Sequence, residues 1–201
     1  MQKILIATHN KGKFIEICKI LSSVKNYNFV SLADLGISED VEETGTSFEE
    51  NAKIKAEFFA KKSGLVTIAD DSGIIIDALR GELGVKTRRW GAGAEASDKE
   101  WTDFFLKRME KENNKKAQFV CNAAIYIING KTHSFESTAK GIILPKLQEK
   151  YLPGLPLSAV FKPEGCEHVY SALSVEEKNK ISHRGKAFSQ VKDFLQKNKN
   201  L

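Results

Sequence analysis

Runs of apolar residues along the chain alternate between the period of strands and the longer period of helices. Residues 2–8 form a short apolar run, and Phe14, Ile17 and Leu21 then recur at helical spacing. A second short apolar run lies at 27–32. The chain is therefore predicted to open as strand, turn, helix and strand.

The next helix and strand are marked by local start and stop signals. The pattern Ser47-x-x-Glu50 is a capping box, which predicts a helix from there to about Ser63. Residues 65–69 are predicted as a strand that ends before Asp70-Asp71-Ser72-Gly73. Strand character resumes at 74–76, where three isoleucines follow one another.

The second half of the chain predicts a helix, a long hairpin and a final helix. The first helix is expected over 98–113, and two strands over 117–128 and 132–143. Asn129-Gly130 between these strands is a hairpin signal. A last helix is expected over 183–197. The order of elements predicts an α/β fold with a mixed central sheet flanked by helices.

Composition excludes several classes of protein. The chain has 201 residues, of which 41% are hydrophobic and 28% charged, so a disordered or collagen-like chain is excluded. Apolar runs stay far below the roughly 18 residues of a membrane span. The run Ile4–Ala7 is too short for a secretory signal. Three cysteines without zinc-ligand spacing are typical of reduced thiols, so we expect a cytoplasmic protein. Because the apolar runs are short, we expect no membrane partner.

The net charge of +5 and the pI of about 9.0 leave the class of partner open. A mild basic excess suits a nucleic acid or a polyphosphate ligand, and it also suits an ordinary solvated surface. A nucleic-acid binder is one hypothesis, although the sequence contains no recognised RNA or DNA motif and no stacking platform. We therefore expect a small-molecule substrate and no nucleic acid.

The first motif that carries chemistry is Thr8-x-Asn10-x-x-Lys13-x-x-Glu16, at the predicted strand–turn–helix. Such a turn presents unpaired backbone N–H groups and the positive end of the helix dipole to an anion. Thr8 and Asn10 can donate to phosphate oxygens, and Lys13 supplies a charge. An ordinary helix start with a solvated lysine is the alternative.

Two acidic pairs form the second set, Glu42-Glu43 and Asp70-Asp71. Magnesium prefers a few carboxylates together with substrate phosphates, and one carboxylate could also accept a proton from water. A solvated loop is the alternative for Glu42-Glu43. That alternative is weaker for Asp70-Asp71, because acids directly after a buried strand need a partner.

The third set lies at 176–185, where Lys178, His183 and Arg184 cluster at a helix start. Arginine and histidine can bind a base edge or a phosphate. The alternative is a charged helix and turn, with His183 exposed or satisfied within the core.

Taken together, these three sets resemble the inosine triphosphate pyrophosphatase family, the XTP/dITP diphosphatases. The resemblance extends from the N-terminus to about residue 195. Its matching segments are ATHNKGKFIEI (7–17), VEETGTSFEENAKIKA (41–56), IADDSGIIIDAL (68–79), FKPEG (161–165) and ALSVEEKNKISHRGKA (172–187).

The resemblance implies an elongated single domain over 1–201, with two lobes and the active site in the cleft between them. It implies hydrolysis of ITP, dITP or XTP to the monophosphate and pyrophosphate, with Mg²⁺, in a homodimer. The implied roles fall on the matching positions. The phosphate loop would be Thr8, His9, Asn10, Lys11, Gly12 and Lys13, with Lys55 a further phosphate contact. Glu42 and Asp71 would hold magnesium, and Asp71 would also accept the proton of the attacking water. Ser72 would contact the substrate. The purine would be recognised by Lys178, His183 and Arg184.

The chain departs from the family pattern in one loop. Where the family has Gly-Phe-Gly-Tyr-Asp-Pro-Ile-Phe, residues 154–161 read GLPLSAVF, without the aromatic residues and with Ser158 in place of the acid. Ser158 is the substrate-binding candidate there. This departure puts base specificity in question, and the alternative is a nucleotide-binding protein of the same fold with altered specificity or no turnover. The retained Asp71 and Glu42 favour the enzyme.

Overall fold

The structure is a computed structural model that describes residues 1–93, 95–128, 130–198 and 201, with the backbone alone at 88–89. Short 3-10 turns connect several of its elements. The helices and strands are β1 (Gln2–Ile6), α1 (Lys11–Leu21), β2 (Tyr27–Ser31), α2 (Phe48–Ser63), β3 (Val66–Ile76), α3 (Asp98–Glu110), β4 (Lys116–Tyr126), β5 (Thr132–Ile143), β6 (Phe161–Pro163), α4 (Val175–Ile181) and α5 (His183–Lys197).

One mixed sheet of six strands runs through the molecule in the order β2-β1-β3-β4-β5-β6. β1 pairs in parallel with β2 and β3, whereas the remaining neighbours are antiparallel. Helices separate the parallel strands along the chain, and the long β4–β5 pair is joined directly, as a hairpin. The predicted mixed sheet flanked by helices is confirmed.

The predicted end of the third strand before Asp70 is wrong. β3 continues through the whole acidic segment, and its pairing with β4 extends from Thr67 opposite Tyr126 to Ile76 opposite Ala117. Aspartate, serine and glycine have low strand propensity, but a continuous ladder of hydrogen bonds to a neighbouring strand overrides such local preferences. The acids therefore lie in the middle of a strand.

Buried apolar side chains form three clusters on the sheet. Two of them lie on opposite faces of one lobe and the third forms the other lobe, and β3 and β4 belong to both lobes. In the first lobe, α1 and α5 pack on one face of the sheet, with Phe188 and Val191 fully buried. α2 packs on the other face through Ala52, Ala56 and Phe59. In the second lobe, the far halves of β3 and β4 pack against α3 and β6. The acidic segment of β3 lies at the junction.

Helix starts follow the capping signals with one difference. The Ser47 hydroxyl accepts from the Glu50 N–H, as predicted, but the Glu50 carboxylate accepts from the Thr46 N–H instead of closing the box on Ser47. The full box forms at Ser97 and at Ser174. Asn129 of the predicted hairpin turn lies outside the described residues.

In the part of the chain that the structure describes, no helix is both long enough and apolar enough to cross a membrane. Cys18, Cys121 and Cys166 are all free thiols.

Candidate active site

A cleft of about 550 Å³ lies at the junction of the two lobes. The predicted site residues Lys11, Gly12 and Glu42 lie outside its lining. The other predicted site residues line it: Thr8, His9, Asn10, Lys13, Lys55, Asp71, Ser72, Ser158, Lys178, His183 and Arg184.

The turn before α1 is built around Asn10, which caps the helix. Its Oδ1 accepts from the Lys13 N–H at 3.0 Å, and its backbone N–H donates to the Thr8 hydroxyl at 3.2 Å. His9 lies beside this turn, with Nε2 2.9 Å from the Glu39 carbonyl oxygen. The cap fixes the first turn of α1 with its positive end at the cleft, as the sequence predicts for a phosphate site.

A segment at residues 152–158, here called the strap, crosses from the second lobe to the start of α1. The Asn10 Nδ2 donates to the Gly154 carbonyl at 2.9 Å, and the Gly154 N–H donates to the Asp98 carboxylate at 2.8 Å. Gly12 permits the close approach, because a Cβ there would lie 2.5 Å from the Pro153 carbonyl oxygen. Gly12 therefore has a packing role here, apart from the phosphate contact predicted for it.

The adjacent acids of β3 face opposite sides of the sheet, because side chains alternate along a strand. Asp70 faces α1 and α5, where its Oδ2 lies 3.0 Å from the Lys13 Nζ and accepts from the Ser72 hydroxyl at 3.1 Å. The Arg184 Nε lies 3.5 Å from the same oxygen. Burial opposes the ionisation of Asp70, but the surrounding cations outweigh it and hold its pKa well below the usual range. Asp70 is thus an ionised anchor for two cations.

Glu16 anchors the cations expected to bind the purine. Its carboxylate pairs with the Lys178 ammonium and, at 2.7 Å, with an Nη of Arg184. Another Nη of Arg184 donates to Ser72 at 2.9 Å. Burial opposes the ionisation of Glu16, but Arg184 and Lys178 together lower its pKa. The sequence motif included Glu16 without a role, although its spacing of three from Lys13 places both on one helix face.

On the other face of β3, Asp71 is held by α2. The Lys55 Nζ lies 3.3 Å from its Oδ1, and the Asn51 Nδ2 donates to its Oδ2 at 3.3 Å. The Asn51 Oδ1 accepts from the Gly45 N–H at 2.8 Å, so the amide orientation is fixed and its NH₂ faces Asp71. Sequence reasoning missed Asn51, whose signal is its spacing of four from Lys55 on α2.

Burial sets the protonation behaviour of Asp71. It raises the pKa of this carboxyl, and the charges of Lys55 and Lys13 offset only part of that effect. The pKa of Lys55 is raised in turn, since Asp71, Asp70 and Glu43 outweigh the effect of its burial. The pair consists of a carboxylate that takes up a proton more readily than usual and an ammonium that holds its proton more tightly than usual.

The acidic loop contributes Glu43 to the site, whereas the sequence predicts Glu42. Glu42 is exposed and lies outside the cleft lining. The Glu43 Oε1 lies 2.7 Å from the Lys55 Nζ, so one ammonium bridges the carboxylates of Glu43 and Asp71. The Gly45 N–H donates to Asn51 of α2, and this hydrogen bond fixes the loop with the Glu43 side chain, and not that of Glu42, beside Lys55.

The donor set at Glu43 and Asp71 fits a hard cation, since a charged ammonium already lies between the two carboxylates. Among the described residues, no group of three or more histidine, cysteine, aspartate or glutamate side chains could enclose a metal. Magnesium typically takes one or two carboxylates and completes its shell with water and substrate phosphates. The observed pair matches that requirement.

The opposite end of the cleft is more apolar. His183 stacks on Phe119, with ring centroids 4.5 Å apart and an interplanar angle of 9°. Burial and the charge of Arg184 lower the pKa of His183 well below its usual value, so its ring is neutral near pH 7. Ser158 is buried, and its hydroxyl accepts from the Leu152 N–H at 2.9 Å within the strap. Leu157 is also buried and packs within the second lobe.

Comparisons with known proteins find relatives over nearly the whole chain. The profile of the Ham1 family matches residues 4–194. A dITP/XTP pyrophosphatase of Bacillus subtilis is 38% identical over 199 residues, which cover 98% of each chain. One from Staphylococcus epidermidis is 37% identical over 196 residues, covering 98% of this chain and 97% of the relative.

Solved structures show the same fold. The Ham1 protein of Staphylococcus aureus superposes with a TM-score of 0.82 at 32% identity, covering 98% of this chain and 100% of that one. A HAM1 protein from Coxiella burnetii superposes with a TM-score of 0.84 at 32% identity, with the same coverage. With its six-stranded mixed sheet and a profile match that covers nearly all of its length, this chain belongs to the Ham1 family.

Proposed function

We propose that the protein hydrolyses non-standard purine nucleoside triphosphates (ITP, dITP and XTP) to the monophosphate and pyrophosphate, and so removes them from the nucleotide pool. The dITP/XTP pyrophosphatases that it resembles over nearly their whole length support this substrate class. The observation that carries the chemistry is Asp71, a buried carboxylate of raised pKa held by Lys55 and Asn51 beside a capped helix start. In this proposal, residues 1–201 form a single catalytic domain.

In this proposal the triphosphate lies along the start of α1, between Lys13 and Lys55. Water attacks the α-phosphorus while the bond from that phosphorus to the bridging oxygen of the β-phosphate breaks. The water proton passes to Asp71, and the electron pair of the broken bond leaves on pyrophosphate. A carboxylate beside the attacking water can act as its general base, and burial makes the Asp71 carboxylate more basic than an exposed one. Lys13 and Lys55 stabilise the charge on the phosphates.

The metal in this proposal is Mg²⁺, with Glu43 and Asp71 as its protein ligands. When bound, the ion would neutralise charge on the triphosphate and on the pyrophosphate leaving group. Glu43 replaces Glu42 in this role because only Glu43 lines the cleft. Asn51 and Lys55 hold the Asp71 carboxylate in a fixed orientation for this purpose.

Recognition of the base is assigned to Lys178, His183 and Arg184, with Ser158 nearby in the strap. Glu16 holds Lys178 and Arg184 toward the cleft, and both retain further N–H donors. A 6-oxo group on the purine is an acceptor for such donors, whereas the 6-amino group of adenine is itself a donor.

The proposal extends to a homodimer in the cytoplasm, in line with the family resemblance. Light scattering coupled to size exclusion measures the assembly directly. A mass near the single-chain value of 22.4 kDa would contradict the dimer.

The first product separates the proposal from its alternatives. With Mg²⁺, we expect release of pyrophosphate and not orthophosphate from ITP, dITP and XTP, with ATP cleaved more slowly. A coupled pyrophosphate assay across these triphosphates measures it, with excess EDTA as the control. Orthophosphate as the first product, or full activity in EDTA, contradicts the mechanism. Tight nucleotide binding without turnover would show a binding protein instead.

Glu43→Gln tests the assignment of the metal ligand. Loss of one of two carboxylates is expected to raise the Mg²⁺ concentration for half-maximal activity by about tenfold or more. The matched control is Glu42→Gln, the same change at the adjacent, exposed residue, for which little shift is expected. A larger shift in Glu42→Gln than in Glu43→Gln would return the metal role to Glu42.

A further inference from the structure

The apolar end of the cleft is walled by aromatic rings that do not come from the strap. Trp101 of α3, Phe119 of β4 and Tyr170 all line the cleft. The rings of Trp101 and Phe119 are here called the wall. Trp101 and Tyr170 belong to the same buried cluster as Leu157 of the strap, and Phe119 packs against that cluster. The strap lacks aromatic residues, yet flat apolar surface is present at the end of the cleft where His183 and Arg184 lie.

Trp101 combines burial with an unused hydrogen-bond donor. Only 2% of its surface is exposed, and its ring stacks on Phe105 with centroids 5.3 Å apart and an interplanar angle of 9°. Its indole Nε1 has no hydrogen-bond partner among the residues that the structure describes. A buried N–H without a partner costs free energy, and a ligand with an acceptor atom in the adjoining cleft removes that cost.

Phe119 presents the second ring. It is only partly buried, it stacks in parallel with His183, and it meets Phe161 edge to face with centroids 4.8 Å apart. These contacts hold the ring in one orientation against the cleft. A ring fixed in this way offers contact area to a ligand at small entropic cost.

We infer that Trp101 and Phe119 are specificity-determining residues for the purine base. Their rings supply the apolar surface that covers the base, and the indole N–H of Trp101 donates to an acceptor on it. A 6-oxopurine offers such an acceptor, where adenine has a 6-amino donor. The inference rests on the proposed function, because it names the residues that select the base of that substrate.

The binding step can be observed without turnover. The chain has two tryptophans, and Trp90 lies outside the cleft lining, against Phe104. In a Trp90→Phe variant, Trp101 is the only tryptophan and therefore the only indole emitter. With EDTA present, IMP is expected to change its emission saturably, whereas inorganic tripolyphosphate, which has phosphates and no base, is expected to leave it unchanged.

Variants at the wall complete the test. Trp101→Leu and Phe119→Leu are each expected to raise KM for ITP by roughly fivefold or more, the scale of lost base stacking, with kcat within about twofold. Trp101→Phe keeps a smaller aromatic ring and removes the N–H, so the ratio of kcat/KM for ITP to that for ATP should fall. Phe104→Leu is the matched control, because Phe104 lies on the same helix and is 41% exposed.

The outcomes separate the two proposals. Pyrophosphate release from ITP together with unchanged Trp101 emission on adding IMP overturns the assignment of the wall and leaves the proposed function standing. A saturable response to IMP with no turnover of any purine triphosphate supports the wall and overturns the function. Unchanged KM in both Phe119→Leu and Trp101→Phe, with an unchanged ITP to ATP ratio, also overturns the wall, even if Trp101→Leu fails to fold.

Discussion

Asp71→Asn is expected to lower the turnover of ITP by about a hundredfold or more, the scale of a lost general base. The amide is nearly isosteric and keeps contact with Lys55 and Asn51, but it accepts no proton and is a poor magnesium ligand. Steady-state pyrophosphate release at saturating Mg²⁺ measures the loss. Turnover within tenfold of the unmodified enzyme would contradict the role of Asp71.

Thermal unfolding is the control for this variant, and its sign follows from the pKa. Burial raises the pKa of Asp71 in the folded state above its unfolded value, so ionisation of this group at neutral pH opposes folding. Removal of the charge is therefore expected to leave the melting temperature unchanged or to raise it. A large fall in melting temperature would show that the lost turnover reflects unfolding.

Asp70→Asn is expected to act on stability, with a loss of about 3 kcal/mol or more in the free energy of unfolding. Asp70 is fully buried and pairs with Lys13 and Arg184, and removal of one partner from a buried charge network leaves the others uncompensated. Chemical denaturation monitored by circular dichroism measures the change. Asp71→Asn is the matched control, since it is the same substitution at the next residue of β3.

The pH dependence of stability gives Asp70 a second signature. Its pKa in the folded state lies well below the unfolded value, so its stabilisation is present above about pH 4 and is lost as the pH falls toward the folded pKa. The free energy of unfolding should therefore decline less steeply below pH 4 in Asp70→Asn than in the unmodified protein. Equal slopes in the two proteins would contradict the assignment of Asp70 as the ionised anchor.

Local signals in the sequence were sufficient for much of the fold. The capping residue Ser47 and the apolar period after it predict α2, and the pattern at 183–197 predicts α5, because both helices have one continuous apolar face. The two predicted strands at 117–128 and 132–143, joined by Asn129-Gly130, predict the β4–β5 hairpin. The extent of β3 was not predictable, since its acidic centre is a strand only through pairing with β4.

The sequence by itself determined the chemical groups of this protein: a capped helix start for phosphate, carboxylates for a cation and a proton, and a basic cluster for the base. These follow from residue type and short spacing, which local physics controls. Only the tertiary structure decided which groups meet. In β3, Asp70 faces the cations of α1 and α5, whereas Asp71 faces α2. Asn51 fixes the acidic loop so that Glu43, and not Glu42, contacts Lys55. The packing of α3 against the strap places Trp101 in the lining of the cleft. Strand alternation and the Asn51–Lys55 spacing can be read from the sequence, but which elements pack together depends on contacts between residues far apart in the chain.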